Sequence, residues 1–317
     1  MTPEIAVVVP TARREARLAF LLDALAEQSL PRARFEVVIV RDAGQPAPAT
    51  VPPDGLDVRF LTAPPTSGPT NKRNVGWRSA TAPLVAFTDD DCRPSPTWLQ
   101  RLIASADEGH FLQGRTEPDP DERHLLRGHA KTRSVSGPSA WYPGCNVAYP
   151  RSLLELLEGF DESFVFGSED TDLALRAQAQ GARPRYVNDA VVWHAVLSRS
   201  ALTAARDAFA APTFPLLFAR HPDQRRHLYL GVFRNREHAA VILGLAGLLV
   251  ARRSRGLAAA AWLPYLAGQV RGNLVPGRRT PRAVTRLGLH IPGKALVDLA
   301  EVAATIAGGA ARRVIIA

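Results

Sequence analysis

Residues 84–91 read LVAFTDDD, four apolar residues that lead through a threonine into three consecutive aspartates. A short apolar run of this kind predicts a buried central strand. Ligands bind at the carboxyl ends of strands in open α/β sheets, so the aspartates occupy a favourable position for a site. They suit a hard divalent cation, which takes oxygen ligands and shares them with phosphates. They equally suit a solvated acidic turn, and the triplet alone does not decide between the two.

Strand-like and helix-like segments alternate on both sides of this stretch. Apolar runs and periodic apolar residues predict strands at 5–9, 35–40, 58–61 and 111–115, and helices at 15–28 and 97–107. Such alternation is typical of a parallel sheet covered by helices. The sequence therefore predicts an α/β fold.

The charge of the chain is distributed unevenly. Its 317 residues carry a net charge of +9. Residues 1–198 contain 21 basic and 25 acidic side chains, whereas residues 199–317 contain 18 basic and 5 acidic ones, so the two parts face different partners. The two cysteines are too few for a disulfide framework, and no secretory signal precedes the first apolar run. We therefore expect a reducing, cytoplasmic location.

A helix with two cations in its first turns is predicted to begin near residue 70. Gly68-Pro69 ends the preceding loop, and Lys72, Arg73 and Asn74 follow. A helix start offers free N–H donors and a partial positive charge, so it can hold a phosphate, and the cations add to this attraction. Neither a P-loop pattern nor a dinucleotide-binding glycine pattern is present. A solvated helix face is the alternative.

A second acidic pair, Glu169 and Asp170, follows Gly167-Ser168 and begins another predicted helix. Acids are common in a first helical turn because they favour the helix dipole. A carboxylate at this place also suits a general base. The residues alone leave both interpretations open.

Four short segments occur in a characteristic order. They are VVVPT at 7–11, VVIVRD at 37–42, Gly68-Pro69 with Arg73-Asn74, and TDDD at 88–91. In this order the segments resemble the nucleotide-binding half of a family 2 glycosyltransferase with the GT-A fold, whose D-x-D motif the last segment matches. The resemblance covers about residues 4–196. It implies a GT-A domain at 1–198, Rossmann-like, with a mostly parallel sheet and helices on both faces. A nucleotide-binding part at about 1–116 and an acceptor part at about 117–198 would make up this domain.

The resemblance also implies roles for individual residues. Asp42 would contact the nucleobase, Asp89 the ribose side of the donor, and Asp91 the Mn²⁺ or Mg²⁺ ion that bridges the diphosphate. Asp170 is favoured as the base that deprotonates the acceptor hydroxyl, and Glu169 would position the acceptor. The remaining implied contacts are donor-binding Pro10, Thr11, Arg73, Asn74 and Asp90, and metal-binding His194. A structural role for His194 is the alternative, since lone histidines are more often structural.

The C-terminal region, residues 199–317, is basic, apolar and predicted to be helical. Apolar runs at 239–251 and 256–270 are separated by Arg252, Arg253 and Arg255. Neither run reaches the ~20 residues that a membrane-spanning helix needs. The pattern fits an interfacial hairpin on an anionic membrane surface. It equally fits a helical subdomain that packs on the catalytic one.

These observations predict an inverting, metal-assisted transfer of a single sugar from a nucleotide-sugar donor to a hydroxyl acceptor. The family's Q-x-x-R-W motif of processive synthases is absent, which favours addition of one residue. A glycan or lipid-linked acceptor, such as a cell-envelope glycan, and a peripheral position at the inner face of the cell membrane are expected from the basic C-terminal region. No nucleic acid is expected as a partner. The alternative is a catalytically inactive GT-A-like protein that serves as a membrane or nucleic-acid adaptor through this region.

Overall fold

The computed structural model describes residues 2–12, 14–46, 49–65, 68–209, 213–273 and 281–317. The chain divides into two compact units. The first unit is Met1–Leu126 with Lys131–Leu197, and the second is Arg127–Ala130 with Ser198–Ala317. The assignment of nucleotide-binding and acceptor parts within the first unit stays a prediction.

The first half of unit one is a parallel sheet with crossover helices. Its elements are β1 (Ile5–Pro10), α1 (Glu15–Ala26), β2 (Phe35–Asp42), β3 (Val58–Ala63), α2 (Gly68–Ser79) and β4 (Leu84–Phe87). Strand β1 pairs in parallel with both β2 and β4, and β2 pairs in parallel with β3. The strands predicted from the apolar runs are therefore present. All of their carboxyl ends point to one edge of the sheet.

The second half of this unit makes the sheet mixed. Its elements are β5 (Cys92–Pro94), α3 (Trp98–Ser105), β6 (His110–Pro118), β7 (Val147–Pro150), α4 (Arg151–Leu156), α5 (Glu169–Ala179) and β8 (Arg183–His194). The eight strands lie in the order β3-β2-β1-β4-β7-β6-β8-β5. Strand β7 runs antiparallel to both β4 and β6, and β5 runs antiparallel to β8. The described segment between β6 and β7 contains no α-helix to carry a parallel crossover, so β7 returns beside β6 in the opposite direction.

The central strands are buried on both faces. All six residues of β1 are buried. Val7 and Val9 pack in one cluster with leucines of α1, while Val8 packs in a second cluster with Trp77 and Phe87. Alternate residues of one strand thus fill two separate cores, as expected for a sheet covered by helices on both sides.

Helix α2 approaches the sheet closely at Gly76. A β-carbon at this position would lie 2.3 Å from Val8 Cγ1. We expect Gly76→Ala to lower the free energy of unfolding by about 1–3 kcal/mol, because the extra methyl group overpacks a closed core. Chemical denaturation measures this difference. Gly137→Ala is the matched control, since no atom lies within 4 Å of its added β-carbon, and an equal effect of both changes would contradict the expectation.

Unit two is helical over its described residues. It contains α6 (Ala201–Phe209), α7 (Phe214–Arg220), α8 (Arg236–Leu249), α9 (Arg255–Ala260), α10 (Leu263–Asn273) and α11 (Pro281–Arg312). Among the helices that the structure describes, none is both long and apolar enough to cross a membrane. The helices α6 to α11 confirm the predicted C-terminal helical region.

Candidate active site

Three strand ends bring the predicted donor-binding residues to one edge of the sheet. Pro10 ends β1, and the backbone N–H of the next residue, Thr11, donates to the Val40 carbonyl of β2 at 2.8 Å. Asp42 ends β2, and the acidic triplet follows β4 directly. The parallel pairing of these strands explains why segments far apart in sequence meet here.

Asp90 ties the loop after β1 to the acidic triplet. Its carboxylate accepts hydrogen bonds from Thr11 Oγ1 at 2.8 Å and from the Ala12 backbone N–H at 3.1 Å. Arg14 donates to Asp90 at 3.1 Å and also to Asp91. Burial, together with the neighbouring Asp91 charge, raises the pKa of Asp90 above its ordinary value. Asp90 therefore organises the loop.

Arg14 is a site residue that the sequence-based prediction missed. Its guanidinium is the only cation whose ion pairs reach both Asp90 and Asp91 within the described part of the chain. The sequence could have indicated Arg14, because Arg13-Arg14 follows the carboxyl end of the first predicted strand. An arginine at such an edge suits a diphosphate.

Lys72 and Asp42 form a second charged pair at the same edge. Lys72 Nζ donates to Asp42 Oδ2 at 2.9 Å and to the Thr11 carbonyl at 3.0 Å. The pair is mostly shielded from water. Asp42 Oδ1 is buried and has no hydrogen-bond partner among the described residues. One carboxylate oxygen of Asp42 is thus available to a ligand.

Arg73 joins the two acidic motifs of the sequence. Its two terminal nitrogens donate to Asp89 and Glu169, each at 2.7 Å. The guanidinium is buried, and its carbon lies 5.7 Å from the centre of the Phe160 ring. Burial raises the pKa of Asp89, but the charge of Arg73 and its hydrogen bond outweigh burial and hold that pKa below its usual range. Arg73 therefore brings Asp89 and Glu169 to one centre.

Asp170 lies beside this centre, at the N-terminal end of α5. Its Oδ2 accepts a hydrogen bond from the Gly144 backbone N–H at 2.8 Å, and its Oδ1 accepts one from the Thr171 N–H at 2.7 Å. Burial raises the pKa of Asp170, although Arg73 and these two backbone donors oppose the rise. A carboxylate with a raised pKa and a fixed orientation suits a general base.

Glu169 is more deeply buried than Asp170. Burial, and then the adjacent Asp170 charge, raises the pKa of Glu169 to about 7, although Arg73 opposes the shift. Glu169 Oε2 has no hydrogen-bond partner in the described structure. Because Asp170 is only partly buried while Glu169 is buried and paired with Arg73, Asp170 is better placed to reach an acceptor.

The raised pKa of Glu169 predicts a pH-dependent stability. A carboxyl group whose pKa rises from 4.5 to about 7 on folding binds more protons in the folded state, so its contribution to stability falls as pH rises through this window. Glutamine does not titrate, so the melting temperature of Glu169→Gln relative to that of wild type should increase from pH 5 to pH 8. Each unit of pKa shift corresponds to about 1.4 kcal/mol of stability. Scanning calorimetry across this range measures the difference. A constant difference would contradict the assignment.

His194 and Asp91 form the candidate metal-binding pair. His194 Nε2 lies 3.6 Å from Asp91 Oδ1, and both side chains are buried. His194 Nδ1 lies 2.9 Å from the Ala195 carbonyl. With Nδ1 beside this carbonyl, Nε2 is the ring nitrogen that faces Asp91, which is the usual orientation of a ligating histidine. This donor set fits Mn²⁺ or Mg²⁺.

Cys92 lies close to this pair but does not suit the same ion. The ligand atoms of Asp91, Cys92 and His194 all lie within 4.8 Å of one another. Burial, with a contribution from Cys145, raises the pKa of the Cys92 thiol well above its usual range. A neutral thiol is a poor ligand for a hard cation.

Asn74 makes contacts that are internal to the protein. Its amide nitrogen donates to the Phe160 carbonyl at 2.8 Å and to Glu162 at 2.9 Å, and its oxygen accepts from Trp77 Nε1 and the Phe160 N–H. The side chain therefore fixes the loop that leads to α5. A contact between Asn74 and the donor stays a prediction. These hydrogen bonds indicate that Asn74 acts indirectly, by holding the loop before α5.

The family of the chain follows from a match to a protein-family model. Residues 6–163 match the model of glycosyl transferase family 2. The chain belongs to this family. The matched segment contains β1 to β4, the acidic triplet, Arg73 and the Phe160 loop, and α5 with Asp170 follows directly.

Named proteins of similar sequence are glycosyltransferases. A pre-mycofactocin glycosyltransferase of Mycobacterium tuberculosis is 28% identical over 316 residues, covering 89% of this chain and 64% of its own length. A validoxylamine A glucosyltransferase of Streptomyces hygroscopicus subsp. limoneus is 26% identical over 220 residues, which is 56% of this chain and 49% of the relative. The family 2 chain thus spans less than two thirds of these relatives.

Solved structures share the GT-A fold with this chain. The mannosyltransferase PcManGT of Pyrobaculum calidifontis, in complex with GDP-Man and Mn²⁺, superposes with a TM-score of 0.57 at 22% identity, covering 99% of this chain and 88% of that one. TarS 1–349 of S. aureus, in complex with UDP-GlcNAc, gives a TM-score of 0.50 at 16% identity, covering 99% and 93%. At these identities the matches show the fold, a mixed sheet with flanking helices, and confirm the predicted class.

Proposed function

We propose that this protein transfers one sugar, with inversion, from a nucleotide-sugar donor to a hydroxyl group of an acceptor. The proposal rests chiefly on the contacts of Arg73, whose two terminal nitrogens each lie 2.7 Å from a carboxylate oxygen, one of Asp89 and one of Glu169. Donor-side and acceptor-side carboxylates thereby share one buried cation. Family membership and the named glycosyltransferases of similar sequence support the same reaction class.

The donor nucleotide is proposed to bind at the carboxyl ends of β1, β2 and β4. Asp42 Oδ1 is a buried acceptor without a partner among the described residues, and it suits the N–H groups of a nucleobase. Lys72, Arg14 and Arg73 supply positive charge at the same edge, where a diphosphate needs it. Thr11 and Asp90 would fix the loop that faces the donor. Solved proteins of similar fold hold GDP-Man and UDP-GlcNAc.

Asp91 and His194 would hold a divalent cation, Mn²⁺ or Mg²⁺. The oxygen and nitrogen donors face each other and fit such an ion, and PcManGT contains Mn²⁺. A bound cation would stabilise the negative charge that develops on the departing nucleoside diphosphate. Arg14 adds positive charge beside Asp91.

Asp170 is proposed to accept the proton of the acceptor hydroxyl as the new glycosidic bond forms. A single base is sufficient for an in-line displacement, which inverts the configuration at the anomeric carbon. The Gly144 and Thr171 backbone donors hold the carboxylate in place. Glu169 would position the acceptor through Arg73 rather than take its proton.

The acceptor is proposed to be a glycan or a lipid-linked molecule of the cell envelope. The support is the basic C-terminal region, residues 199–317, which contains 18 basic and 5 acidic residues. A nucleic-acid or membrane adaptor with an inactive first unit is the rival function. Binding by such an adaptor would weaken with salt and would be indifferent to Asp91→Asn and Asp170→Asn.

Release of nucleoside diphosphate from a panel of UDP-, GDP- and dTDP-sugars tests the proposal. We expect at least one donor to be cleaved in the presence of Mn²⁺, slowly with water and faster with a suitable hydroxyl acceptor. NMR of the product should show an inverted anomeric configuration. Correctly folded protein that cleaves none of these donors would contradict the proposal.

A further inference from the structure

The helices α8 to α10 expose large apolar side chains in an unusual concentration. Residues 243–270 contribute nine of the 22 exposed large apolar side chains of the described structure. These nine are Leu243, Leu245, Leu248, Leu249, Val250, Leu257, Leu263, Leu266 and Val270. Leu249 is 86% exposed, Leu257 64% and Leu263 60%. We call this set the leucine surface. Soluble proteins rarely expose contiguous apolar patches unless a partner covers them.

Two glycines of α8 lie at its closest approaches to the neighbouring segment. A β-carbon on Gly244 would lie 2.5 Å from the Trp262 ring, and one on Gly247 would lie 2.5 Å from the Ala261 β-carbon. Helix α8 therefore approaches the α9–α10 segment through glycines, while its leucines face outward. Close packing through small residues is typical of helices in a lipid environment. Val241 of α8 is buried, but its four leucines are exposed, whereas a soluble helix normally buries most of its large apolar side chains.

Helix α8 also lacks a polar face along most of its length. Residues 239–251 contain no charged or hydrogen-bonding side chain. In α10, Leu263, Leu266 and Val270 recur at helical spacing and form one exposed stripe. An all-apolar helix is normally buried. The exposed half of α8 thus needs a covering partner.

The charges around the leucine surface indicate which partner fits. Residues 243–271, which carry the leucine surface, contain four basic residues, Arg252, Arg253, Arg255 and Arg271, and no acidic residue. Arg252 and Arg253 lie in the turn between α8 and α9, Arg255 begins α9, and all three are exposed. A second copy related by two-fold symmetry would offer the arginines no acidic partner from this segment, because both copies use the same surface. An anionic lipid surface complements both the arginines and the leucines.

We propose that the leucine surface and the adjacent arginines dock this protein on an anionic membrane, with α8 to α10 lying in the plane of the headgroups. The helices have 14, 6 and 11 residues, each below the ~20 that would span a bilayer. The leucines enter the boundary between headgroups and acyl chains, and the arginines contact lipid phosphates. This inference rests on the second unit and does not depend on the proposed sugar transfer.

Flotation of the full-length protein with lipid vesicles tests the proposal. We expect binding to vesicles of phosphatidylcholine with phosphatidylglycerol, weaker binding at high salt, and little binding to phosphatidylcholine alone. The triple variant Leu249→Ser, Leu257→Ser, Leu263→Ser should lower the partition coefficient at least about tenfold, because it removes buried apolar area. Its control is Phe20→Ser, Leu126→Ser, Leu156→Ser, which alters exposed residues of the first unit and should bind like wild type.

A second variant tests the electrostatic part without changing the leucines. Arg252→Gln, Arg253→Gln, Arg255→Gln should weaken binding to anionic vesicles and remove most of its salt dependence. Donor cleavage should be unchanged in the leucine variant and in the arginine variant, which separates this proposal from the proposed function. Wild-type protein that does not float with anionic vesicles would overturn the proposal. A dimer that dissociates in the leucine variant, without any vesicle binding, would instead identify the surface as a contact between two copies.

Discussion

Replacement of Asp170 by asparagine is expected to lower kcat by about 10²–10⁴-fold, the range that a positioned general base contributes. Asparagine preserves the size of the side chain and can still accept the Gly144 N–H that Asp170 accepts at 2.8 Å. It cannot accept a proton from an acceptor hydroxyl. The KM for the donor should change little, since Asp170 acts on the acceptor. Steady-state kinetics with the donor identified by the cleavage panel measures both parameters.

Asp172→Asn is the matched control for this change. Asp172 lies in the same helical turn, but its buried carboxylate pairs with Arg176 at 2.8 Å. Its replacement should lower the melting temperature while leaving the kcat of the folded enzyme close to wild type. Equal losses of kcat in the two variants would contradict the assignment of Asp170. A loss confined to Glu169→Gln would transfer the role of base to Glu169, whose pKa of about 7 also suits proton transfer.

Replacement of Asp91 by asparagine is expected to lower kcat/KM by about 10³-fold, because a metal ion contributes several kcal/mol of charge stabilisation and each 1.4 kcal/mol is tenfold. The variant keeps the shape of the side chain but loses the anionic ligand that faces His194 at 3.6 Å. Its residual activity should respond little to Mn²⁺. Activity measured across a Mn²⁺ titration distinguishes this loss from a general defect.

Asp119→Asn provides the comparison for Asp91→Asn. Asp119 is a buried carboxylate of the same unit, and its side chain pairs with Arg93 at 3.0 and 2.6 Å rather than with Arg14 or His194, the partners of Asp91. We expect this variant to keep the Mn²⁺ dependence of wild type even if its stability falls. Should Asp91→Asn retain a wild-type response to Mn²⁺, the ion would have to bind elsewhere.

Local patterns in the sequence were sufficient for the elements that bring Pro10, Asp42 and the acidic triplet to one edge of the sheet. Strand β4 matches the predicted Leu84–Phe87 residue for residue, because Pro83 precedes the apolar run and Thr88 with the acidic triplet follows it. Helix α1 begins at the predicted Glu15 and ends two residues before the predicted Gln28. In these segments the burial pattern and the local preference agree, so short-range information is enough.

Contacts between distant segments were not available from such patterns. The reversed direction of β7 depends on a long irregular connection whose path no periodicity encodes. The pairing of Arg14 with Asp91 and of Arg73 with Glu169 joins residues 77 and 96 positions apart. The family resemblance supplied the roles of Asp89, Asp91 and Asp170. The shared guanidinium and the glycine-based packing of α8 emerge only from the three-dimensional structure.

We propose that the aspartates after β4 recruit a divalent cation that binds a nucleoside diphosphate. Calorimetric titration of the full chain with UDP and GDP, with and without Mn²⁺, tests it most directly. We predict that at least one diphosphate binds, that binding requires Mn²⁺, and that Asp91→Asn abolishes it. Absence of binding by both diphosphates, or binding that is equal without Mn²⁺ and in Asp91→Asn, would contradict the claim.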